Sequence, residues 1–384
     1  MKYKLGEICE IISGSTPKTT IPEYWDGDLR WVTPAELTDN SLFIYDTERH
    51  ITELGAEKSG LSSFPEGTVL LSSRAPIGKV AIAGSEMYCN QGFKNLICSD
   101  KIDNRYLYWF LKSKKEYLNS LGRGATFKEI SKQIVSNIEI DVPSINVQNR
   151  AVNVLNQIND IIGFRKNELL KLDELIKARF VELFGDPETN PMGWDHMTLN
   201  DVCSSVVRGP FGSALKKEFF VEPSDTTYKV YEQKHAIQKS ATIGTYYVTA
   251  EKYNELKRFE CLPGDILMSC SGTMGELYQL PQNCERGIIN QALCKFTLNN
   301  RILPVCFLEY MKHTIGNLET KGSGIQNIAA VSYVKAMPIN VPPMDIQETF
   351  AAFVEQVDKS KVEVQQALEK AQLLFEKLMQ EYFG

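Results

Sequence analysis

Basic and amide side chains recur in polar, glycine-containing turns along this 384-residue chain. Arginine and lysine can pair with phosphates or with guanine, and asparagine or glutamine can pair with two atoms of adenine at once. Residues in these turns are therefore candidates for nucleic-acid contacts, although a solvated surface position is the commoner role for any single one of them. The candidates in the first half are Ser15, Lys18, Arg74, Lys79, Gln91, Lys94, Arg123 and Lys128. The candidates in the second half are Arg208, Ser213, Lys216, Lys217, Lys234, Gln291, Lys321 and Gln326.

Residues that could catalyse a reaction are hard to find. The four histidines, His50, His196, His235 and His313, have no neighbours in sequence typical of a metal site or a catalytic triad. Gly14-Ser-Thr-Pro-Lys18 lacks the spacing of a nucleotide-binding Walker loop. Asn340-Val-Pro-Pro343 departs from the Asn-Pro-Pro-aromatic motif of DNA amino-methyltransferases, because valine intervenes and Met344 follows. We therefore predict a non-catalytic protein with no metal or cofactor of its own.

Composition is typical of an intracellular globular protein. Apolar residues make up 43% of the chain, which is enough for two cores, and no apolar run approaches the length of a membrane span. The first residues contain no apolar signal core, so a cytoplasmic location is expected. Nine cysteines without any Cys-x-x-Cys pair favour reduced thiols, and Cys98, Cys270 and Cys294 lie in apolar runs that predict burial.

The pattern of one long amphipathic helix occurs twice in the sequence. Gln148 pairs with Gln347, and Phe184-Gly185 pairs with Phe383-Gly384, both at a displacement of 199 residues (347 − 148 and 383 − 184). Apolar residues alternate at steps of four and three, the heptad pattern of helices that pack side by side. At about 1.5 Å per residue, each helix would be roughly 55 Å long. Shorter matches precede each helix, among them Leu5-Gly-Glu-Ile-Cys9 with Leu199-Asn-Asp-Val-Cys203 and Asn90-Gln91 with Asn290-Gln291.

This duplication predicts an α+β protein made of two tandem globular domains. Their bounds would be 1–143 and 186–343, with spacer helices at 144–185 and 344–384. The helices should pack antiparallel as a coiled coil, because the second can return to the first domain only by running back along the first helix. The whole chain would then have pseudo-two-fold symmetry.

Several residues leave two roles open. Asn90-Gln91 and Asn290-Gln291 are either turn caps or contacts between a domain and a helix. Arg165, Arg179 and Lys361 interrupt the apolar seams and either pair with acids of the opposite helix or bind a partner. The last helix is acidic, since residues 344–384 carry four basic and eight acidic side chains, a net charge of −4.

The order of these motifs resembles the DNA-specificity subunit of type I restriction–modification systems over essentially the full chain. The resemblance is carried by Leu5-Gly-Glu-Ile-Cys9, Ile12-Ser-Gly-Ser-Thr-Pro17, Trp31-Val-Thr-Pro34, Gly124-Ala-Thr-Phe-Lys-Glu-Ile130, the Val-Pro-x-x-x-x-Gln boundary at Gln148, and Leu183-Phe-Gly-Asp-Pro187. The second copy departs from the first, with Arg208-Gly-Pro-Phe-Gly-Ser213 and Gly324-Ile-Gln-Asn-Ile328 at the matching places. The two target-recognition domains would therefore read different sequences.

The resemblance implies a subunit that recognises an asymmetric, bipartite target in double-stranded DNA, with an unread gap set by helix length. Two separate modification subunits would bring S-adenosylmethionine and methylate adenine. Restriction subunits that use ATP and Mg²⁺ could join them and cleave DNA. The main alternative is a protein-interaction scaffold of two domains tethered by a coiled coil, and another is an enzyme with an unrecognised active site.

Overall fold

The protein forms two units, each of which combines the globular part of one repeat with portions of both long helices. The computed structural model describes residues 1–38, 41–74, 76–123, 128–315 and 331–384, and the backbone alone of 320–321 and 327–328. The first unit comprises Met1–Asn167 with Gln365–Gly384, and the second comprises Glu168–Val364. Each long helix thus contributes one part to each unit. Among the described helices, each is too polar or too short to cross a lipid bilayer.

The first unit consists of short strands and helices followed by the start of a long helix. Its strands are β1 Lys2–Lys4, β2 Cys9–Ile12, β3 Trp25–Val32, β4 Phe43–Ile44, β5 His50–Ile51, β6 Val69–Leu71, β7 Val80–Ala83, β8 Tyr88–Cys89, β9 Asn95–Cys98 and β10 Glu139–Asp141. Its helices are α1 Leu5–Ile8, α2 Glu53–Lys58, α3 Asn104–Ser113, α4 Lys115–Leu121, α5 Lys132–Ser136 and α6 Ile145–Phe184, of which 168–184 belong to the second unit.

The described strands of the first unit pair into three sheets. The largest has the order β2-β9-β6-β7-β4, a second has the order β5-β3-β8, and β1 pairs with β10. Asp103 begins α3 by accepting hydrogen bonds from the amides of Arg105 (2.8 Å) and Tyr106 (3.2 Å). The apolar face of α3 then packs on the largest sheet, with Trp109 fully buried in the shared core.

The second unit repeats this arrangement. Its strands are β11 Asp195–Thr198, β12 Cys203–Arg208, β13 Thr227–Tyr231, β14 Tyr247–Thr249, β15 Glu260–Cys261, β16 Ile266–Ser269, β17 Leu277–Gln279, β18 Gly287–Ile289, β19 Leu293–Leu298, β20 Thr320–Lys321, β21 Asn327–Ile328 and β22 Pro338–Val341. Its helices are α7 Leu199–Val202, α8 Gln233–Ile237, α9 Ala250–Glu255, α10 Pro304–Thr314, α11 Val331–Ala336 and α12 Met344–Phe383, whose residues 365–383 belong to the first unit. The sheet orders are β12-β19-β16-β17 and β14-β13-β18-β15, and β11 pairs with β22 as β1 pairs with β10.

The apolar seams of the two long helices meet inside each unit. In the first unit, Ala151 and Leu155 near the start of α6 share a core with Phe383 at the end of α12. In the second unit, Phe180 near the end of α6 packs on Phe350 near the start of α12, with ring centroids 5.6 Å apart. The start of one helix thus meets the end of the other, which confirms the predicted antiparallel pair.

One glutamine at the start of each long helix joins that helix to its globular part. Gln148 is fully buried, accepts a hydrogen bond from the amide of Asp103 (2.8 Å) and donates to the carbonyls of Lys101 (3.0 Å) and Pro143 (2.9 Å). Gln347 repeats the three bonds in the second unit, and its partners are Leu303 N (2.8 Å), Arg301 O (2.9 Å) and Pro342 O (2.9 Å). Three backbone groups are satisfied by one side chain, which explains why the boundary motif recurs.

The residues that interrupt the seams are engaged within the helix pair. Lys361 lies 2.6 Å from Asp173 of the opposite helix. This is the pairing with an acid of the opposite helix that the sequence offered as one of two roles. Arg179 pairs instead with Glu182 of its own helix (2.8 Å), while its guanidinium lies 5.7 Å from the ring centroid of Phe353 on the other helix. All nine cysteines are free. Cys270 and Cys294 are buried as predicted, but Cys98 is only half-buried.

Candidate nucleic-acid interface

Each unit has the same two backbone features. One is a loop that follows β2 or β12, and the other is a turn that packs against that loop. In the first unit the loop follows β2, and Gly14 packs against Cys89 so closely that a Cβ would lie 1.7 Å from the Cys89 carbonyl oxygen. In the second unit the loop follows β12, and a Cβ on Gly209 would lie 1.9 Å from the Asn290 carbonyl oxygen. Glycine at these two positions is therefore required by the close approach of two backbones.

The turn in each pair is capped by its asparagine. The Asn90 side-chain oxygen accepts a hydrogen bond from the amide of Gly92 (2.8 Å), and Asn290 accepts one from Ala292 (3.0 Å). The sequence left two roles open for these asparagines, and the structure shows turn capping. The next residue in each turn, Gln91 or Gln291, is exposed. The cap fixes the backbone from which the glutamine projects.

Two buried tryptophans, whose role the sequence did not reveal, hold the first loop. Trp31 donates its indole hydrogen to the Ser15 carbonyl (3.1 Å), and Trp25 donates to the Lys18 carbonyl (3.2 Å). The two rings pack edge to face at 5.1 Å, and the Arg49 guanidinium lies 3.5 Å from the Trp25 ring centroid. The backbones of both predicted residues are therefore anchored, while the Lys18 side chain is exposed.

Glu129 organises the basic residues of the first unit. Its carboxylate lies 2.9 Å from Arg74 Nε and 3.3 Å from Lys94 Nζ, and its backbone exchanges two hydrogen bonds with Arg123, each 3.0 Å. Burial raises the pKa of Glu129, but the hydrogen bonds from Arg74 and Lys94 outweigh it and lower the pKa below its usual value. Together with exposed Lys128, four formal positive charges face one negative charge, a net of +3. We call these five residues the Glu129 cluster.

Two predicted lysines of the first unit are held inside it rather than free at the surface. Lys94 is only 7% exposed, and besides Glu129 its ammonium contacts Ser73 Oγ at 3.3 Å. Lys79 is half-buried and donates to the Pro34 carbonyl at 3.2 Å. In these positions the two side chains support the surrounding loops and can contribute long-range charge. Of the predicted cations of this unit, Lys18, Arg74, Arg123 and Lys128 are exposed, and Arg74 is paired with Glu129.

The matching surface of the second unit has a different character. Arg208, at the end of β12, lies with its guanidinium 5.0 Å from the ring centroid of Phe211, and that ring is 64% exposed. Ser213, Lys216 and Lys217 follow on the same exposed segment, with Lys216 3.5 Å from Glu218. This loop offers an aromatic surface between positive charges.

The remaining predicted residues of the second unit divide by what surrounds them. Lys234 is half-buried, pairs with Glu232 (2.6 Å) and lies 5.3 Å from the ring centroid of Tyr246. Lys321 lies in β20, and its side chain is not described. Gln326 lies outside the described residues. Of the predicted residues that the structure describes, Ser15, Lys18 and Gln91 lie in the loop and turn of the first unit, Arg208, Ser213 and Gln291 lie at those of the second, and Lys234 lies on helix α8.

A dense ion-pair network stabilises the second sheet of this unit. Glu260 accepts hydrogen bonds from Lys257 (2.8 Å), Arg286 (2.8 Å) and the Tyr253 hydroxyl. Burial raises the pKa of Glu260, but these three donors outweigh it and hold the pKa at about 2. Lys229, only 1% exposed, lies 2.7 Å from Glu285. These charged side chains are therefore paired within the fold.

The histidines have structural surroundings. His235 is fully buried, with Nε2 2.7 Å from the Ile243 carbonyl, and burial lowers its pKa. His196 lies 2.9 Å from Asn340 Oδ1, and the His313 ring stacks on Phe180. Within the described ranges, His, Cys, Asp and Glu side chains do not converge in groups that could hold a metal ion.

Comparison with known proteins finds one family whose model matches both halves of the chain. The family model described as the type I restriction modification DNA specificity domain matches residues 1–174 and again 191–373. The chain is 29% identical to the type I restriction enzyme MjaIX specificity subunit of Methanocaldococcus jannaschii, over 92% of this chain and 85% of that protein. It is 27% identical to the HindI specificity subunit of Haemophilus influenzae, over 36% of this chain and 31% of that protein.

Solved structures share the fold. A chain from a type I restriction–modification system whose complex assembly and conformational transition have been described has a TM-score of 0.66 and 15% identity, covering 100% of this chain and 97% of that chain. The S subunit of a type I system from M. genitalium has a TM-score of 0.55 and 15% identity, covering 100% and 96%. The predicted α+β class with tandem globular parts and two long helices is thereby confirmed. The twice-matched family model shows that this chain belongs to the type I restriction–modification DNA specificity family and is a specificity subunit rather than a catalytic one.

Proposed function

We propose that this specificity subunit reads an asymmetric, bipartite sequence in double-stranded DNA, one part with each unit. The observation that carries the proposal is the loop and capped turn found in both units on the same backbone plan but with different side chains. Thr16 stands where the second unit has Phe211, and a serine (Ser13) stands where it has Arg208. Different side chains on one scaffold select different bases.

The long helices would act as the ruler between the two half-sites. Each is continuous over 40 residues. At about 1.5 Å per residue this is roughly 60 Å, against roughly 34–36 Å for one turn of the duplex. Inserting one heptad into both helices preserves the apolar seam and should lengthen the unread gap. An unchanged gap would refute the ruler.

The exposed apolar residues of the helices would receive two modification subunits. Apolar side chains along a helix that are not covered by the fold mark an interaction surface. Phe164 is 72% exposed and Leu373 is 69% exposed. The others are Ile145, Val147, Ile161, Leu170, Leu175, Val181, Met344, Val362 and Leu374. The net charge of −4 on residues 344–384 would favour a basic partner surface.

This division of labour assigns the chemistry to the partners. The modification subunits would bind S-adenosylmethionine and methylate adenine, and restriction subunits that join the complex would use ATP and Mg²⁺. Because the complex would act on cellular DNA, it would work in the cytoplasm. Docking is tested by co-purifying a modification subunit with wild type, Phe164→Glu and the control Asn153→Glu, whose side chain is exposed on the same helix. Loss of the complex with Phe164→Glu alone supports the docking surface, and equal recovery of all three refutes it.

Binding to duplex DNA separates this function from a protein-interaction scaffold. Phosphate contacts make the affinity fall steeply with salt concentration. Lys128→Ala, in the Glu129 cluster, should lower the salt slope by about 1 if the lysine contacts one phosphate. Lys370→Ala, an exposed lysine of α12, serves as the matched control and should leave the slope unchanged. A wild-type chain whose affinity for DNA does not depend on salt would favour the scaffold.

Sequencing methylated bases in cells with and without this chain identifies the target directly. The expected result is one bipartite motif, methylated at adenine, that disappears when the chain is deleted. A symmetric motif would refute the prediction of an asymmetric target, and an unchanged methylation pattern would refute the proposed function.

A further inference from the structure

The two units carry different residues at one matching loop position, and this difference bears on which base each unit recognises. The strands preceding the loops run in matching registers, with Ile12 opposite Asn95 in the first unit and Val207 opposite Lys295 in the second. Both loop glycines approach the turn closely, Gly14 at Cys89 just before the capping asparagine and Gly209 at the capping Asn290 itself. Counting two residues onward from each glycine reaches Thr16 in the first unit and Phe211 in the second.

Thr16 holds the side chain of the exposed glutamine in the turn. Its hydroxyl donates a hydrogen bond to Gln91 Oε1 at 2.5 Å, across 75 residues of sequence. The amide can therefore not rotate freely about its last bond without losing this contact. The Gln91 Nε2 retains two hydrogens, and Oε1 retains one lone pair for a further partner.

This is the hydrogen-bonding pattern that the major-groove edge of adenine requires. Adenine presents an acceptor at N7 and a donor at N6, and a glutamine amide matches both at once. A glutamine fixed in advance loses less rotational freedom on binding than a free one, so its selectivity is greater. The backbone below Gln91 is held as well, because Asn90 caps the turn.

Phe211 gives the matching position of the second unit a different chemistry. A phenyl ring has no hydroxyl to donate, so it cannot orient the amide of Gln291 as Thr16 orients that of Gln91. Its ring is 64% exposed and lies beside the Arg208 guanidinium. Exposed apolar carbon of this kind matches the C5 methyl group of thymine, which is the apolar feature of the major groove.

We propose that this loop position determines base specificity in both units: Thr16 is a positioning residue that commits Gln91 to adenine, and Phe211 contacts a thymine methyl group. The inference rests on the proposed DNA-reading function and names the bases that two of its positions select. It predicts one adenine in one half-site and one thymine in the other whose recognition depends on these two side chains.

The test uses the full chain and a pool of random duplexes, from which bound sequences are selected and read. Thr16→Val keeps the shape but removes the hydroxyl, whereas Thr16→Ser keeps the hydroxyl and removes the methyl group. The wild type and Thr16→Ser should select adenine at one position by about 5- to 150-fold over other bases, which corresponds to about 1–3 kcal/mol per bidentate pair. Thr16→Val should lose most of that preference at that position, while its affinity for unselected DNA and its salt slope remain those of the wild type.

Modified duplexes then test the atoms involved. Replacing that adenine with 7-deazaadenine, which lacks the N7 acceptor, should weaken binding by the wild type and have little effect on Thr16→Val. Replacing thymine with uracil, which removes only the methyl group, should weaken binding at one position of the other half-site. Phe211→Ala should no longer distinguish thymine from uracil there.

The outcomes are distinguishable. If Thr16→Val selects the same motif with the same preference, or if Thr16→Ser behaves like Thr16→Val, the hydroxyl does not position Gln91 and the inference fails for the first unit. If Phe211→Ala still prefers thymine to uracil, it fails for the second unit. If the wild type enriches no motif at all, the proposed function fails, and this inference fails with it.

Discussion

Replacing Gln148 with methionine should loosen the junction between α3 and the long helix α6 without unfolding the rest of the chain. Methionine fills a similar volume but can neither donate nor accept the three hydrogen bonds that Gln148 makes with Asp103, Lys101 and Pro143. Because Gln148 is fully buried, water cannot readily replace the lost partners. A net cost of about 1 kcal/mol for each lost hydrogen bond gives roughly 3 kcal/mol in total. This corresponds to an increase of roughly 150-fold in the local opening equilibrium.

Hydrogen exchange measured by mass spectrometry reports this opening segment by segment. Peptides covering 100–106 and 143–149 should exchange faster in Gln148→Met, while the peptides of the second unit keep wild-type rates. Gln347→Met should produce the reverse pattern around 301–304 and 342–348. The control is Gln157→Met, because Gln157 is exposed on the same helix α6. Exchange that is unchanged in Gln148→Met, or raised equally by Gln157→Met, would show that the buried glutamine does not secure the junction.

Three further perturbations test other parts of the structure. Lys361→Met should lower the free energy of unfolding by less than about 1 kcal/mol. Its partner Asp173 is 60% exposed, so solvent screens the pair. A larger loss of stability in urea denaturation would contradict this prediction. Glu260 has a folded pKa of about 2 against a usual 4.5, so the stability it contributes is present above pH 4.5 and is lost as the pH falls toward 2. Acid titration of the second unit's unfolding should therefore show a smaller decline in Glu260→Gln than in the wild type, and equal declines would refute the assignment. Gly14→Ala should reduce sequence-specific DNA affinity at least tenfold in a filter-binding assay, because its Cβ would overlap a carbonyl oxygen, whereas Gly163→Ala, with open space around it, should bind like the wild type.

The long helices and their duplication could be predicted because their signal is local in sequence. Heptad spacing places apolar side chains on one face wherever the helix lies, and the observed bounds 145–184 and 344–383 lie within one residue of the predicted spacers. The strands Val80–Ala83 and Ile266–Ser269 are short apolar runs flanked by turns, a pattern that is typical of buried strands. The domain bounds 1–143 and 186–343 remain a prediction, and the compact units divide the chain within both helices.

The candidate site was predicted less completely, because residue type does not indicate burial. Lys94 and Lys128 are both lysines in polar surroundings of the sequence, but one is buried against Glu129 and the other is exposed. Phe211 was overlooked because an aromatic residue usually predicts a core position. Only the fold shows that its ring faces solvent beside Arg208.

The amino-acid sequence alone determined that this protein is a doubled module with two long helices, because repeats and periodicity depend only on the order of residues. The tertiary structure decided which distant residues act together. Thr16 reaches Gln91 across 75 positions, and Trp31 holds Ser15 from 16 positions away. These contacts depend on the close approach of β2 to the turn after β8, which no local pattern encodes, since such pairing arises only when the core brings the strands together.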